Sequence, residues 1–107
     1  MTGHQVALGV VHIHYKGGRY MPLGLARNSE RREQKVVVYM SLDHGTAWVR
    51  PLQTPNEDSW QDMLKWPDGK ERKRFTPEYM LSAQDKATLA ACWERMAKEE
   101  KKEAEHV

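Results

Sequence analysis

In the first half of the chain, apolar positions gather in short, partly alternating runs that end in glycine, proline or charge. Within 5–15, Val6, Leu8, Val10, Val11 and Ile13 form a β-branched run that reads as strand from about Val10. Lys16-Gly17-Gly18 supplies a tight turn, because consecutive glycines reach the φ > 0 conformations that hairpin turns need. Residues 19–26 make a second predicted strand; Pro22 within it implies an edge position or a bulge, since proline has no N–H for a ladder. After a polar stretch over 27–33, residues 34–42 carry Val36-Val37-Val38-Tyr39, a continuous run that suggests burial on both faces. Asp43-His44-Gly45-Thr46 then turns the chain into Ala47-Trp48-Val49-Arg50, which Pro51 ends.

The second half changes character. A polar loop over 54–59 leads to Trp60, Asp62 and Leu64, which fit either a short strand or a helical turn. Pro67-Asp68-Gly69 is a turn signal suited to a hairpin, with 70–75 as the returning strand. Ser82-Ala83-Gln84-Asp85 has the spacing of a helix start, Ser82 as N-cap and Asp85 three residues on. Leu89, Trp93 and Met96 then recur at helical spacing, with Ala90 and Ala97 beside them, so one helix face is apolar. From Lys98 the sequence is almost wholly charged and is expected to fray.

Five or six short strands joined by tight turns predict a mainly β fold: a small SH3-like barrel or a strongly bent antiparallel sheet, with a C-terminal α-helix. The helix would cover one barrel opening or dock on another chain. The expected division is an N-terminal extension over 1–8, the β domain over 9–75, and a helix with a charged tail over 76–107.

Composition narrows the function classes. The 107 residues are the size of one domain. A core this small buries only about 60% of the unfolded surface, so the four tryptophans and four tyrosines must fill much of it. The single cysteine, Cys92, cannot form an internal disulfide. No apolar run is long enough for a signal peptide or a membrane span, so cytoplasm is the expected location, host cytoplasm for a viral protein. The net charge of +2 hides an asymmetry: residues 1–50 carry seven Lys/Arg against three Asp/Glu, and residues 51–107 ten against twelve. A basic sheet half suits an anionic partner, but the excess is far below that of an obvious nucleic-acid binder.

The ordered motifs His14-Tyr15-Lys16-Gly17-Gly18-Arg19-Tyr20, Leu23-Gly24-Leu25-Ala26, Ser29-Glu30, Val37-Val38-Tyr39, Trp48-Val49-Arg50-Pro51, Trp60-x-Asp62, Asp68-Gly69 and Arg74-Phe75 resemble a bacterial and phage family, domain of unknown function 1653. The resemblance spans about residues 9–75. Two departures stand out: a longer loop with Trp60 replaces a phenylalanine expected soon after Pro51-Leu52, and 82–107 lies outside the pattern. The resemblance implies a compact β domain and brings no established activity.

Lys16-Gly17-Gly18-Arg19 sets two cations around a turn whose amides could line an anion nest, although the Walker pattern is absent. The plain alternative is a hairpin with solvated charges. Arg50, two residues from Trp48, could grip a phosphate or carboxylate bidentately, or pair internally with Glu30. Tyr15, Tyr20, Tyr39, Trp48 and Trp60 could form a stacking platform, though most must fill the core. Lys70-Glu71-Arg72-Lys73-Arg74 could track phosphates or merely protect an edge strand.

His12 and His14 share a strand face but lack further ligands nearby in sequence, so no metal and no cofactor is expected. Cys92 has no neighbouring base, and no catalytic constellation is legible, although Glu30, Asp43 and Asp62 could converge in space. The reading is a small non-enzymatic module that binds a phosphate-bearing ligand, nucleotide or nucleic acid, through Lys16, Gly17, Gly18, Arg19, Tyr20, Trp48 and Arg50. The alternative is a protein-interaction module, such as a phage accessory factor, that docks on a host protein or a second copy through the helix and the 52–62 loop.

Overall fold

The computed structural model describes residues 6–55 and 58–105. Its first hairpin is built as the glycines dictate. The Gly17 N–H donates to the His14 carbonyl at 2.8 Å and the His14 N–H to the Gly18 carbonyl at 2.8 Å, with Gly17 at φ 104°. This turn joins β1 (His12–His14) to β2 (Arg19–Arg27). Next come β3 (Lys35–Ser41), β4 (Ala47–Pro51), β5 (Met63–Lys65), β6 (Glu71–Lys73) and β7 (Phe75–Pro77). A single 3₁₀ turn (Glu78–Met80) leads into α1 (Ala83–Glu105).

The fold is mainly β, with antiparallel pairing throughout and one C-terminal helix. The main sheet runs β4-β3-β2-β1-β7, and β5-β6 is a separate hairpin. Strands β4 and β7 do not pair, so the sheet stays open and the closed barrel is not realised. Pro22 resolves to the bulge alternative: β2 lies inside the sheet, and its register against β3 shifts between Pro22 and Gly24. The expected boundary at residue 75 falls inside β7, which pairs with β1 through Phe75, Thr76 and Pro77.

Register assigns each side chain to a face, because successive residues of a strand point to opposite sides. His12, His14, Tyr20, Tyr39, Trp48, Arg50 and Phe75 share one face. Ile13, Arg19, Val38, Val49 and Thr76 share the other. On the first face Val37, Tyr39, Leu52, Trp60 and Phe75 form one core, with Val6 and Tyr20 packed against it. On the second, Ile13, Trp66, Leu81 and Leu89 form another, flanked by Tyr15 and Trp93. The second core lies over β1 rather than β3. Strand β3 therefore alternates: Val37, Tyr39 and Ser41 are buried while Val36, Val38 and Met40 are partly covered, which corrects the expectation of two buried faces.

The helix begins as its sequence predicts. Ser82 Oγ accepts the Asp85 N–H at 3.0 Å, a cap that contributes about 1 kcal/mol. Asp85 also meets Lys70 Nζ at 3.0 Å and Arg72 at 3.6 Å, and Arg72 forks onto Asp68 at 3.1 and 2.9 Å. Much of the basic run thus ties the β5-β6 hairpin to the helix. Leu89 is fully buried, a burial that contributes about 1.5–3 kcal/mol. With Leu89, Cys92 and Trp93 turned inward, the apolar stripe is covered within the chain except at Met96 and the flanking Ala90 and Ala97. The charged continuation does not fray but stays helical to Glu105, consistent with strong helix formers and a Glu94–Lys98 pair at 3.4 Å.

Candidate functional site

His14 is the centre of a basic, aromatic cluster on the first sheet face. The Lys16 backbone N–H donates to its Nδ1 at 3.1 Å, so the proton of the neutral ring sits on Nε2. Its ring lies 4.6 Å from Tyr15, 4.8 Å from Phe75 and 5.9 Å from Tyr20. Phe75 in turn stacks on Trp60 at 3.9 Å with planes 8° apart, and meets Tyr39 and Tyr20 edge-on at 5.3 and 5.4 Å. Three cations close on this floor. The Arg50 guanidinium is 5.9 Å from the Phe75 ring, while Arg74 and Lys16 Nζ are each 5.7 Å from the Tyr15 ring.

The electrostatics follow from that geometry. Burial, then the charges of Arg74, Arg50 and Lys16, hold the His14 pKa down at about 4. His12 is also held below its usual value by burial, although its bond to the Val10 carbonyl pulls the other way. Burial, with Tyr39 and Asp43 nearby, raises the Tyr20 hydroxyl, and Arg50 partly offsets this.

The two arginines are not equivalent. Arg74 is buried, donates through Nε to the Ser59 carbonyl at 3.0 Å, and faces Asp62 at 3.4 Å and Asp58 at 3.6 Å. Its charge is largely answered within the protein. Arg50 makes two long contacts, to Tyr39 Oη and the Asp58 carbonyl, both at 3.4 Å. Among the described residues it has no ion pair; the expected alternative partner Glu30 instead lies in the loop closed by its own amide on Asn28 Oδ1.

Of the expected site residues, Lys16, Tyr20 and Arg50 gather around His14. Trp48 lies on the same face, opposite Tyr39 and 53% exposed. Gly17 and Gly18 shape the turn rather than an open nest. The Lys16 and Gly17 amides are committed to His14 Nδ1 and the His14 carbonyl, and the Arg19 amide to Asp43 Oδ2 at 3.1 Å. A Cβ on Gly17 would meet Trp93 at 3.0 Å, and one on Gly18 would meet Tyr20 at 2.8 Å. Arg19 pairs in register with Ile13 on the opposite face, in a recess with Lys86 and Trp93.

Two members of the cluster, His14 and Arg74, are not among the residues expected at this site, although Arg74 belongs to the basic run that could track phosphates and His14 to the histidine pair weighed for a metal. Their signal was positional: His14 opens the glycine motif and Arg74 stands before Phe75, whose strand pairs with His14. His12 and His14 do share a face, but among the described residues no group of three or more metal-ligating side chains forms. Asp43 is engaged with the Arg19 amide and Asp62 with Arg74, so these carboxylates serve separate places. Cys92 is packed, its sulfur 3.8 Å from the Pro67 carbonyl. No helix among the described residues is long and apolar enough to cross a membrane.

An open antiparallel sheet with a histidine-centred basic cluster, bracketed by the glycine turn and the Arg74-Phe75 step, coincides with the region of a family match. Residues 11–77 match the family described as Protein of unknown function (DUF1653), and the chain belongs to that family. No curated protein and no solved structure matches it. The matched region holds all seven strands of the described residues and ends before α1.

Proposed function

We propose that this protein is a small binding module for a phosphate-bearing ligand, a nucleotide or nucleic acid, held at the His14 cluster. The observation that supports it is the gathering of Lys16, Arg50 and Arg74 about one neutral imidazole over a floor of stacked rings. Lys16 and Arg50 would pair with the anion, since Arg74 is already answered by Asp62 and Asp58. His14 Nε2–H and the Tyr20 hydroxyl would donate as neutral groups, and exposed Trp48 offers a face for stacking at the sheet edge. Binding is favoured over catalysis because an imidazole with a pKa of about 4 is a poor general base at neutral pH. The alternative of protein docking through the helix has less support, because Leu89, Cys92 and Trp93 are spent on intramolecular packing.

Calorimetric titration with inorganic phosphate, a nucleoside monophosphate and a single-stranded oligonucleotide at two salt concentrations tests the proposal. Binding should weaken with salt, and Arg50→Ala should reduce it about tenfold, the worth of one charge-assisted contact. Absence of binding by all three probes at low salt would refute it.

A further inference from the structure

A second feature lies beside β7 and shares Trp60 and Phe75 with the floor of the basic cluster. A cleft of about 490 Å³, within the range of small-molecule sites, is rimmed by exposed Met63, Tyr79 and Met80, rests on buried Trp60 and Phe75, and is also lined by His12 and Gln61. The two polar residues are themselves deeply placed, 2% and 8% exposed. His12 Nδ1 donates to the Val10 carbonyl at 2.8 Å, which fixes the tautomer and leaves Nε2 as a bare acceptor. Burial keeps that ring neutral.

Neither His12 Nε2 nor the Gln61 carboxamide has a hydrogen-bond partner among the described residues. No fully enclosed side-chain nitrogen or oxygen of the described residues lacks a partner, so these atoms open onto the cleft the two residues line. Polar groups placed this deep without protein partners are uncommon, because a buried donor or acceptor left unmet is destabilising. The exposed phenol of Tyr79 with the thioethers of Met63 and Met80 favours a planar unsaturated ring. An imidazole acceptor near a carboxamide, which both donates and accepts, calls for a ligand edge with N–H beside C=O or ring nitrogen.

We propose that this cleft is a second binding site, selective for a neutral planar heterocycle with adjacent hydrogen-bond donor and acceptor, the chemistry of a nucleobase. His12 Nε2 accepts from the ring N–H, Gln61 completes the edge, and Tyr79 with Met63 and Met80 covers the ring. Glu71, Arg72 and Lys73 also line the cleft, yet the contacts to the ring edge need no charge on the ligand, which separates it from the phosphate reading above.

Titration of the full chain with uridine, cytidine, adenosine and guanosine, and with indole as a ring that lacks a donor–acceptor pair, tests this by tryptophan fluorescence and by the ¹⁵N signals of the histidines. At least one nucleoside should bind saturably, with an affinity indifferent to salt and a shift of the His12 Nε2 resonance. Gln61→Met, close in volume, should weaken it about tenfold, the worth of one hydrogen bond. Tyr79→Ala, at a residue 71% exposed and so safe for folding, should weaken it several-fold. Either no saturable binding by any of the four below about 10 mM, or indole binding as tightly as the best nucleoside with Gln61→Met without effect, overturns the proposal.

Discussion

Gly17 is where the hairpin, the helix and the basic cluster meet, and replacing it with alanine tests the packing most directly. At φ 104° an L-residue is strained by about 1–3 kcal/mol. The added Cβ would also stand 3.0, 3.2 and 3.4 Å from Cδ2, Cγ and Cε2 of Trp93, inside ordinary van der Waals contact. The indole cannot retreat freely, because its Nε1–H donates to the Tyr15 carbonyl at 2.9 Å, a bond that contributes about 0.5–1.5 kcal/mol. Alanine stiffens the unfolded chain and recovers about 0.4–1 kcal/mol, leaving a net loss of about 2–3 kcal/mol. Urea denaturation followed by far-ultraviolet circular dichroism measures it. In a Trp93→Ala background the steric part vanishes and only the backbone strain remains, so the double-mutant cycle should show a coupling of about 1–2 kcal/mol. A Gly17→Ala loss below about 0.5 kcal/mol, or one of equal size in both backgrounds, would refute the close approach of helix to turn.

Further outcomes follow from other parts of the molecule. His14 has a folded pKa of about 4 against 6.5 unfolded, so the unfolded state binds more protons between those values and stability falls as pH drops through that window. The shift sets a ceiling of about 3 kcal/mol; solvent reaches part of the ring, so about 1–2 kcal/mol is expected between pH 7 and 4. His12 acts in the same direction, and His14→Gln should flatten the dependence; an unchanged urea midpoint across this range would contradict the buried neutral ring. Arg74→Met removes the guanidinium from the Ser59 carbonyl and from Asp62, which keep their mutual backbone-amide bonds, and should cost about 2–4 kcal/mol, less than a fully enclosed pair because Asp58 is exposed, as thermal melting would show. Arg50→Ala, which loses two 3.4 Å contacts and a guanidinium 5.9 Å from the Phe75 ring, should change stability by about 1 kcal/mol or less in the same assay.

How much of this was legible in the sequence depended on whether local chemistry decided the outcome. The turn at Gly17, the bulge option at Pro22, the hairpin at Asp68-Gly69 and the cap at Ser82 are local, and each formed as its residues require. The side on which Arg19 would lie is not local. It is set by pairing with Ile13, and a shift of one residue would have sent it to His14 instead. Arg74 was illegible for a related reason. It sits between β6 and β7, where the chain leaves one sheet for another, and its amide bonds to the Asp62 carbonyl. A run that reads as one basic strand is therefore two strands with a buried arginine at the break. The two-sided burial expected of Val36-Val37-Val38-Tyr39 failed because the helix covers β1, a choice made by Trp93 and Leu89 far along the chain.

The position of Trp93 bears on how the basic cluster should be studied. Helix α1 lies beyond the family match, yet its indole presses on Gly17 and bonds to Tyr15, residues inside the glycine motif. The Lys16 amide in that turn fixes the tautomer of His14, and the Tyr15 ring lies tilted against it at 4.6 Å. Helix docking and the geometry of the proposed anion site therefore share one hairpin. A variant of the glycine turn that loses ligand binding does not by itself assign the turn a contact with ligand, because the same change frees the helix and the imidazole. Lys16→Met is the cleaner probe: its side chain is exposed and its backbone bond to His14 survives the substitution. Loss of phosphate binding with an unchanged melting temperature would then belong to the ammonium group rather than to the fold.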